Sequence, residues 1–367
     1  MLTGGITKTH TLLADGRELI YYDDPGSTLP AERTVDARTL DPRPATATMR
    51  QDPLTGDWIS IAAARQNRVF LPPADLDPLA PQTPTNPSEV PSTYDVAVFE
   101  NRSPSFGPEL GPLDLEGLGL GRTAPSHGRC EVVCFSPERE GSFGSLSEVR
   151  ARTVIEAWAD RTEFLSALPG VEQVFPFENR GEAIGVTLHH PHGQIYSYPY
   201  VTPRTQRLVQ SIADFGPNLF ESILDFERNS ERVVLHGEHW TAFVPFAARW
   251  PLEVHMLPHR HVPDFAATSV AERDELAPLY LRLLRGLDAL YDTPTPYIAA
   301  WHQAPVRVAR GDIRLMLQVT SPRRAADRLK YLAGSEAAMG AWIGDVPPEA
   351  QAAFIRDGIE RVSGQQA

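Results

Sequence analysis

Three histidines, His189, His190 and His192, crowd one proline in the stretch HHPHGQIYSY at 189–198. Three readings compete for them: the start of a metal site, an imidazole nucleophile, or unrelated histidines of surface and core. On an extended strand His190 and His192 share a face, which suits a pair of metal ligands. Transition metals need three or four ligands, however, and no CxxC, HExxH or neighbouring carboxylate completes the set within this segment.

The nucleophile reading accounts for more of the neighbours. Pro191 stiffens the chain, and Gly193 would let backbone approach a phosphate without a Cβ in the way. An imidazole that attacks phosphorus must be neutral, with its second nitrogen held as a donor so that the attacking lone pair is aimed. Gln194 shares the face of His192 and offers an amide N–H to a phosphoryl oxygen. An amide does not titrate and is a poor base for activating water, so a covalent intermediate would survive until a second substrate arrived. That favours group transfer over hydrolysis.

Something must position these residues. The opening stretch HTLLADGRELIYYDD predicts a hairpin turning at Asp-Gly, and WISIA at 58–62 alternates as a strand. Residues 72–91 hold seven prolines and predict an extended surface loop. Strands are expected near 95–100, 130–135, 171–177, 184–188 and 194–198, with an amphipathic helix over 147–167 that carries Val149, Val154, Ile155, Trp158 and Phe164. The order then repeats: strands near 233–236, 240–246 and 253–258, a helix over 270–291, strands near 297–301 and 312–319, and a C-terminal helix over 348–362. In each half a strand ending in proline leads through a loop into a long helix, and two strands follow. This predicts a duplicated α+β unit with mainly antiparallel sheets and flanking helices. Residues 1–46 read as an N-terminal extension with the hairpin, 47–200 as the first unit, and 201–367 as the second.

The bulk numbers agree with a globular protein and narrow its partners. The chain has 367 residues, 42% hydrophobic and 22% charged, and no run of 18 apolar residues to span a membrane. A formal charge of −13 argues against general nucleic-acid binding, so an anionic small ligand would need its own local arginines or lysines. The N-terminal residues lack an apolar signal core, which sets the expectation of a cytoplasmic protein. Cys130 and Cys134 lie four residues apart in RCEVVCFSP. On a strand that separation is roughly 13 Å, beyond disulfide reach, so buried reduced thiols are expected.

The segment His190-Pro191-His192-Gly193-Gln194 resembles the active-site signature of the galactose-1-phosphate uridylyltransferases, a branch of the histidine-triad superfamily. The resemblance runs from about residue 49 to 350. RQDPLTGDWISIAAARQNR resembles the family's N-terminal substrate segment, with Arg65 and Arg68 at its phosphate-contacting arginines. VFEN at 98–101 matches at Phe99 and Asn101, residues used for the uridine. FPFENRGEAIGVTLHHPHGQ matches at Phe177, Glu178, Asn179, Gly185 and Thr187 (commonly Ser). LKYLAGSE, with Lys330 and Tyr331, matches the segment that reaches the sugar phosphate, although Ser335 stands where a larger residue is common.

The resemblance implies two fused histidine-triad-like units and a ping-pong exchange. His192 would take a uridylyl group from UDP-glucose and pass it to galactose-1-phosphate, in a homodimer with shared active sites. It also implies metals that this chain departs from. Family members bind zinc through a CxxC pair, a later histidine and the first histidine of the motif. Here those positions read Ala80-Pro81-Gln82-Thr83, Arg139 and His190. The second site of the family uses a Glu, a histidine after Trp, and an HxH pair. Only His302 remains, with Met316 and Gln318 at the HxH positions and no Glu between Tyr196 and Phe220. No metal is therefore expected, and His259-Arg260-His261 is expected to be plain surface. Two other readings share the motif: a nucleoside-diphosphate-sugar phosphorylase with inorganic phosphate as acceptor, and a nucleotide-sugar-binding homologue without turnover.

Overall fold

A computed structural model describes residues 2–43, 47–63, 71–108 and 119–364. The first half contains strands β1 (Thr7–Leu12), β2 (Glu18–Asp23), β3 (Thr48–Gln51), β4 (Trp58–Ile61), β5 (Val96–Glu100), β6 (Arg122–Pro125) and β7 (Arg129–Cys134). Helix α1 (Glu148–Ser166) follows, then β8 (Gln173–Arg180) and β9 (His192–Tyr198). The second half contains α2 (Pro203–Phe215), α3 (Leu219–Arg228), β10 (Val233–His236), β11 (Trp240–Phe243), β12 (Leu252–Pro258), α4 (Val270–Asp288), β13 (Tyr297–His302) and β14 (Met316–Ser321). Helices α5 (Gly334–Met339) and α6 (Pro348–Gly364) complete it.

Eleven strands form one antiparallel sheet in the order β1-β2-β5-β7-β9-β8-β13-β14-β12-β11-β10. The order reads nearly the same from either end. β7–α1–β8–β9 in the first unit answers β12–α4–β13–β14 in the second, as the repeated element order predicts. The units are fused edge to edge where β8 pairs with β13, Phe177 facing Ala300 and Asn179 facing Ile298. This is the expected α+β architecture of a duplicated unit with a mainly antiparallel sheet. The N-terminal hairpin forms and extends the sheet, because β2 pairs with β5.

Both long helices start where the sequence supplies a cap. The Ser147 side chain accepts from the Arg150 N–H, and Ser269 forms a reciprocal box with Glu272. They pack side by side on one face of the sheet and bury Val154, Ile155, Trp158, Leu276 and Tyr280 in the main core. Val149 and Phe164, expected on the apolar stripe of α1, are instead 49% and 38% exposed. Phe164 lies under the Arg161 guanidinium at 4.3 Å.

The opposite face is covered in patches. Residues 72–94 cap Leu19, Tyr21, Ala97 and Phe99, the small sheet β4-β3-β6 covers Cys130, and α2 and α3 cover Phe243 and Leu257. Between the patches an aromatic stripe stays half-open, with Phe177 against Tyr196 at 5.1 Å and stacked on Phe175 at 5.2 Å. Both cysteines are buried, Cys134 against Tyr94 and Phe99 and Cys130 under the small sheet.

Two expectations are corrected. No strand forms over 184–188: Glu182–Ile184 is a turn of 3₁₀ helix closed by Gly185 at φ 84°, and Gly181 enters it at φ 97°. Two left-handed glycines four residues apart turn the chain away from any ladder. Helices α2 and α3 were not foreseen at all.

Candidate active site

β9 aims the motif. Its residues alternate, with His192, Gln194, Tyr196 and Tyr198 on the half-open face and Gly193, Ile195 and Ser197 buried toward the helices. Cross-strand pairing sets Gln194 between Val132 of β7 and Phe177 of β8, and His192 beside Cys134. Gly193 is therefore needed on the side away from any ligand. A Cβ there would lie 2.8 Å from the Phe135 ring and 2.9 Å from the Phe177 carbonyl oxygen. Strand packing explains this glycine, not the approach of a phosphate.

The His192 ring has one nitrogen committed. Nδ1 lies 2.6 Å from the His190 carbonyl oxygen, which can only accept, so Nδ1 carries the proton and Nε2 presents its lone pair. Burial holds the His192 pKa below the ordinary imidazole range, and the hydrogen bond to His190 only partly opposes this. The ring at neutral pH is a neutral imidazole of defined tautomer.

Two clefts meet at this ring. One encloses about 770 Å³, its solvent-open side included, and is lined by Phe99, Asn101, Arg102, Thr187, His192 and Gln194. The other, about 750 Å³, is lined by Gly141, Ser142, Asn179, Arg180, His189 and His192. The fold thus brings Phe99, Asn101, Thr187, His192 and Gln194 together on one side of the imidazole, and Asn179 on the other. Phe99 is 3% exposed and belongs equally to the core beneath the first cleft. Arg17, from the turn between β1 and β2, closes the floor of that cleft. It donates to Glu89 and Asp15 and, at 2.8 Å, to the Glu100 carbonyl oxygen.

Other candidates are placed differently. Phe177 neighbours Gln194 across the ladder but packs in the aromatic stripe. Glu178 lines the second cleft but is buried, its carboxyl accepting from the Tyr297 hydroxyl at 3.0 Å and the Phe143 N–H at 3.3 Å. Full burial pushes its pKa up to about 7 against these donors. Gly185 closes the 3₁₀ turn described above. Lys330 is buried, paired with Glu336 at 2.9 Å and bonded to the Ile343 carbonyl oxygen. With the 79%-exposed Tyr331 it lines a separate groove against Ile184, Trp250 and Ile298. Arg65 and Arg68 lie outside the described residues.

His190 lines the second cleft but turns its imidazole inward. Its side chain is fully buried, with Nδ1 2.7 Å from Asp77 Oδ2 and Nε2 2.7 Å from the Ser136 carbonyl oxygen and 2.9 Å from the Tyr94 hydroxyl. Asp77 and Tyr94 are the residues that sequence reasoning missed; a lone acid and a tyrosine flanking a proline-rich loop carry no motif. The residues at the family's first metal position do not fit a metal, because both nitrogens of the sole histidine are engaged. At the second position, His302 Nε2 is 3.1 Å from the Gln318 amide oxygen, and Gln318 donates to Glu253 at 2.7 Å. Burial, then the Arg204 charge, pushes the His302 pKa down to about 3. Among the described residues no three His, Cys, Asp or Glu side chains are grouped to hold a metal ion. His259 is half-exposed and Arg260 and His261 are exposed, as expected for surface.

Comparison with known proteins gives the family. Residues 39–202 match the galactose-1-phosphate uridyl transferase N-terminal domain, and residues 206–321 match its C-terminal domain. The galactose-1-phosphate uridylyltransferase of Streptomyces lividans is 46% identical over 95% of this chain and 97% of its own. That of Thermotoga maritima is 32% identical over 84% of this chain and 98% of its own. A solved uridylyltransferase, 28% identical, superposes with a TM-score of 0.77 over 86% of this chain and 99% of its own. An ADP-glucose phosphorylase from Arabidopsis thaliana, 22% identical, shares the fold at a TM-score of 0.63 over 85% of this chain and 99% of its own. The pairing of a tautomer-locked histidine with these matches along both halves places the chain in the galactose-1-phosphate uridylyltransferase family.

Proposed function

We propose that this chain exchanges a uridylyl group between UDP-glucose and galactose-1-phosphate through a covalent intermediate on His192. One observation carries the proposal: the His192 Nδ1–H is held by the His190 carbonyl oxygen, so the free Nε2 lone pair sits where the two clefts meet. In the first step Nε2 bonds to the α-phosphorus of UDP-glucose. The bridging P–O bond breaks with its electron pair on oxygen, and glucose-1-phosphate leaves. The ring, now bonded at both nitrogens, becomes cationic, and its Nδ1–H bond to the carbonyl strengthens. In the second step a phosphate oxygen of galactose-1-phosphate attacks the same phosphorus, and neutral imidazole departs. Gln194 steadies the phosphoryl oxygens without offering a base to water.

The remaining assignments belong to the same proposal. Phe99, Asn101 and Thr187 receive the uridine side, Asn179 the sugar-phosphate side, and Arg65 and Arg68 supply positive charge to the phosphates. No metal takes part, a reading supported by the donor sets at both family positions. A homodimer with shared sites is supported by the exposed apolar residues Tyr331, Met339 and Ile343, and by the separate groove that Lys330 and Tyr331 line. The two free thiols suit a reducing compartment, so we place the protein in the cytoplasm.

The test is to incubate the protein with UDP-glucose alone, quench in alkali, and search by mass spectrometry for uridylylated His192. The adduct should form, be absent from His192→Gly, and discharge with galactose-1-phosphate. Discharge by inorganic phosphate instead would make the enzyme a phosphorylase, and absence of any adduct would leave a binding protein.

A further inference from the structure

We propose that Asp77 is a positioning residue for the nucleophile, acting through a buried hydrogen bond with His190 that does here the bracing a metal does in other family members. The inference rests on His192 being the nucleophile and goes beyond it to what holds that ring.

The hydrogen-bond partners of His190 fix its protons. Nε2 faces the Ser136 carbonyl oxygen at 2.7 Å, an atom that only accepts, so Nε2 bears hydrogen. The Tyr94 hydroxyl beside it gives its single proton to the carbonyl oxygen of Leu79 or of Ser136, at 2.8 and 2.9 Å, and turns a lone pair to the same N–H. Nδ1 faces Asp77 Oδ2 at 2.7 Å, while Asp77 Oδ1 accepts from the Leu79 N–H at 3.0 Å. Burial works to raise the Asp77 pKa, yet the bonds from His190 and Leu79 and the charge of Arg139 hold it below the ordinary carboxylate range. Both ring nitrogens are thus engaged, Nδ1 by a carboxylate and Nε2 by a carbonyl, and neither is free for a metal.

This pair is wired to the nucleophile. The carbonyl that accepts the His192 Nδ1–H belongs to His190, and between them Pro191 has its φ fixed and its own carbonyl bonded by the Phe135 N–H at 3.0 Å. Anchoring the His190 ring therefore anchors the acceptor that selects the His192 tautomer. Asp77 is itself pinned: its carbonyl oxygen accepts from the Asn86 side chain at 2.7 Å, and the Glu89 N–H closes the loop onto Pro78 at 2.8 Å. The N-terminal extension braces this loop from outside, where Asp36 accepts from Gln82 at 3.3 Å and Arg17 bonds Glu89.

Two measurements test the proposal. In the wild-type protein, nitrogen-15 NMR should show both His190 ring nitrogens held in hydrogen bonds; a ring nitrogen with no hydrogen-bond partner overturns the contact. In rapid-quench single turnover with UDP-glucose, Asp77→Ala should slow uridylylation of His192 by about ten- to a hundredfold with the Kd for UDP-glucose within about threefold of wild type. Asp77→Asn, whose amide still bonds the ring, should recover to within about threefold of the wild-type rate. An alanine variant as fast as wild type, or an asparagine variant as slow as the alanine one, overturns the positioning role. Should Asp77→Ala fail to fold, the asparagine variant's rate and the wild-type spectrum decide. Failure of the wild-type enzyme to form any adduct would instead sink the nucleophile reading and leave the spectrum of His190 standing.

Discussion

Gln194 and Gln318 hold the same place in the two units, each the third residue of the strand that follows the β8- or β13-type neighbour. Their settings differ. Gln194 opens on a cleft beside His192, whereas Gln318 is buried between His302 and Glu253, behind Met316 at the counterpart of the nucleophile. One duplicated position opens on a cleft in the first unit and is buried in the second.

Substitution should separate the two roles. Gln194→Ala is expected to lower kcat by about a hundredfold or more, as loss of an oxyanion donor does, and to leave the melting temperature nearly unchanged. Gln318→Ala removes two buried hydrogen bonds and should cost about 1–3 kcal/mol in denaturant unfolding with kcat preserved. Equal effects on kcat would refute the division.

Glu178 gives stability a defined pH dependence. Its folded pKa, about 7, lies above the ordinary value of 4.5, so the folded state prefers the protonated acid. The stability it contributes is full below pH 4.5 and is lost as pH rises through 7. Glu178→Gln mimics the protonated acid toward Tyr297 and Phe143. Urea unfolding should find the variant more stable than wild type at pH 8, by up to about 3 kcal/mol, and equal to it near pH 4.5.

Gly193→Ala tests the packing explanation of the motif's glycine. The added methyl meets the Phe135 ring and the Phe177 carbonyl, so overpacking should destabilise the fold by about 1–3 kcal/mol. A variant that keeps its stability and loses only substrate affinity would restore the phosphate-approach explanation.

Tyr331 bears on sharing between subunits. If its segment completes the cleft of a second copy, Tyr331→Ala and His192→Gly proteins, each impaired alone, should regain transferase activity when unfolded together and refolded as a mixture. Mixed protein that shows only the average of the two parents would confine each site to one chain.

Much of this was legible because the signals were local. Apolar spacing announced α1, and the repeated element order gave α4 and most strands of both units. The motif itself carried His192 and Gln194. Helices α2 and α3 had a signal that went unread: Thr202-Pro203 opens α2, and Leu208 and Ile212 repeat at helical spacing into the core under Phe243. Gly193 was misjudged because sequence does not say which face of a strand meets a neighbour. Asp77 was invisible for a deeper reason: its partner lies 113 residues away, and only the folded loop brings a carboxylate to that imidazole. The pairing of β8 with β13 is likewise a choice between distant edges that no spacing encodes.

That seam has a consequence for how such a chain can change over time. Each unit hides the other's raw strand edge, so deleting the second unit would leave the outer edge of β8 open to mispairing with other molecules. The second unit is a splint for the first: side chains such as Met316 and Gln318 can vary with its packing, while the β13 backbone must stay to cover that edge.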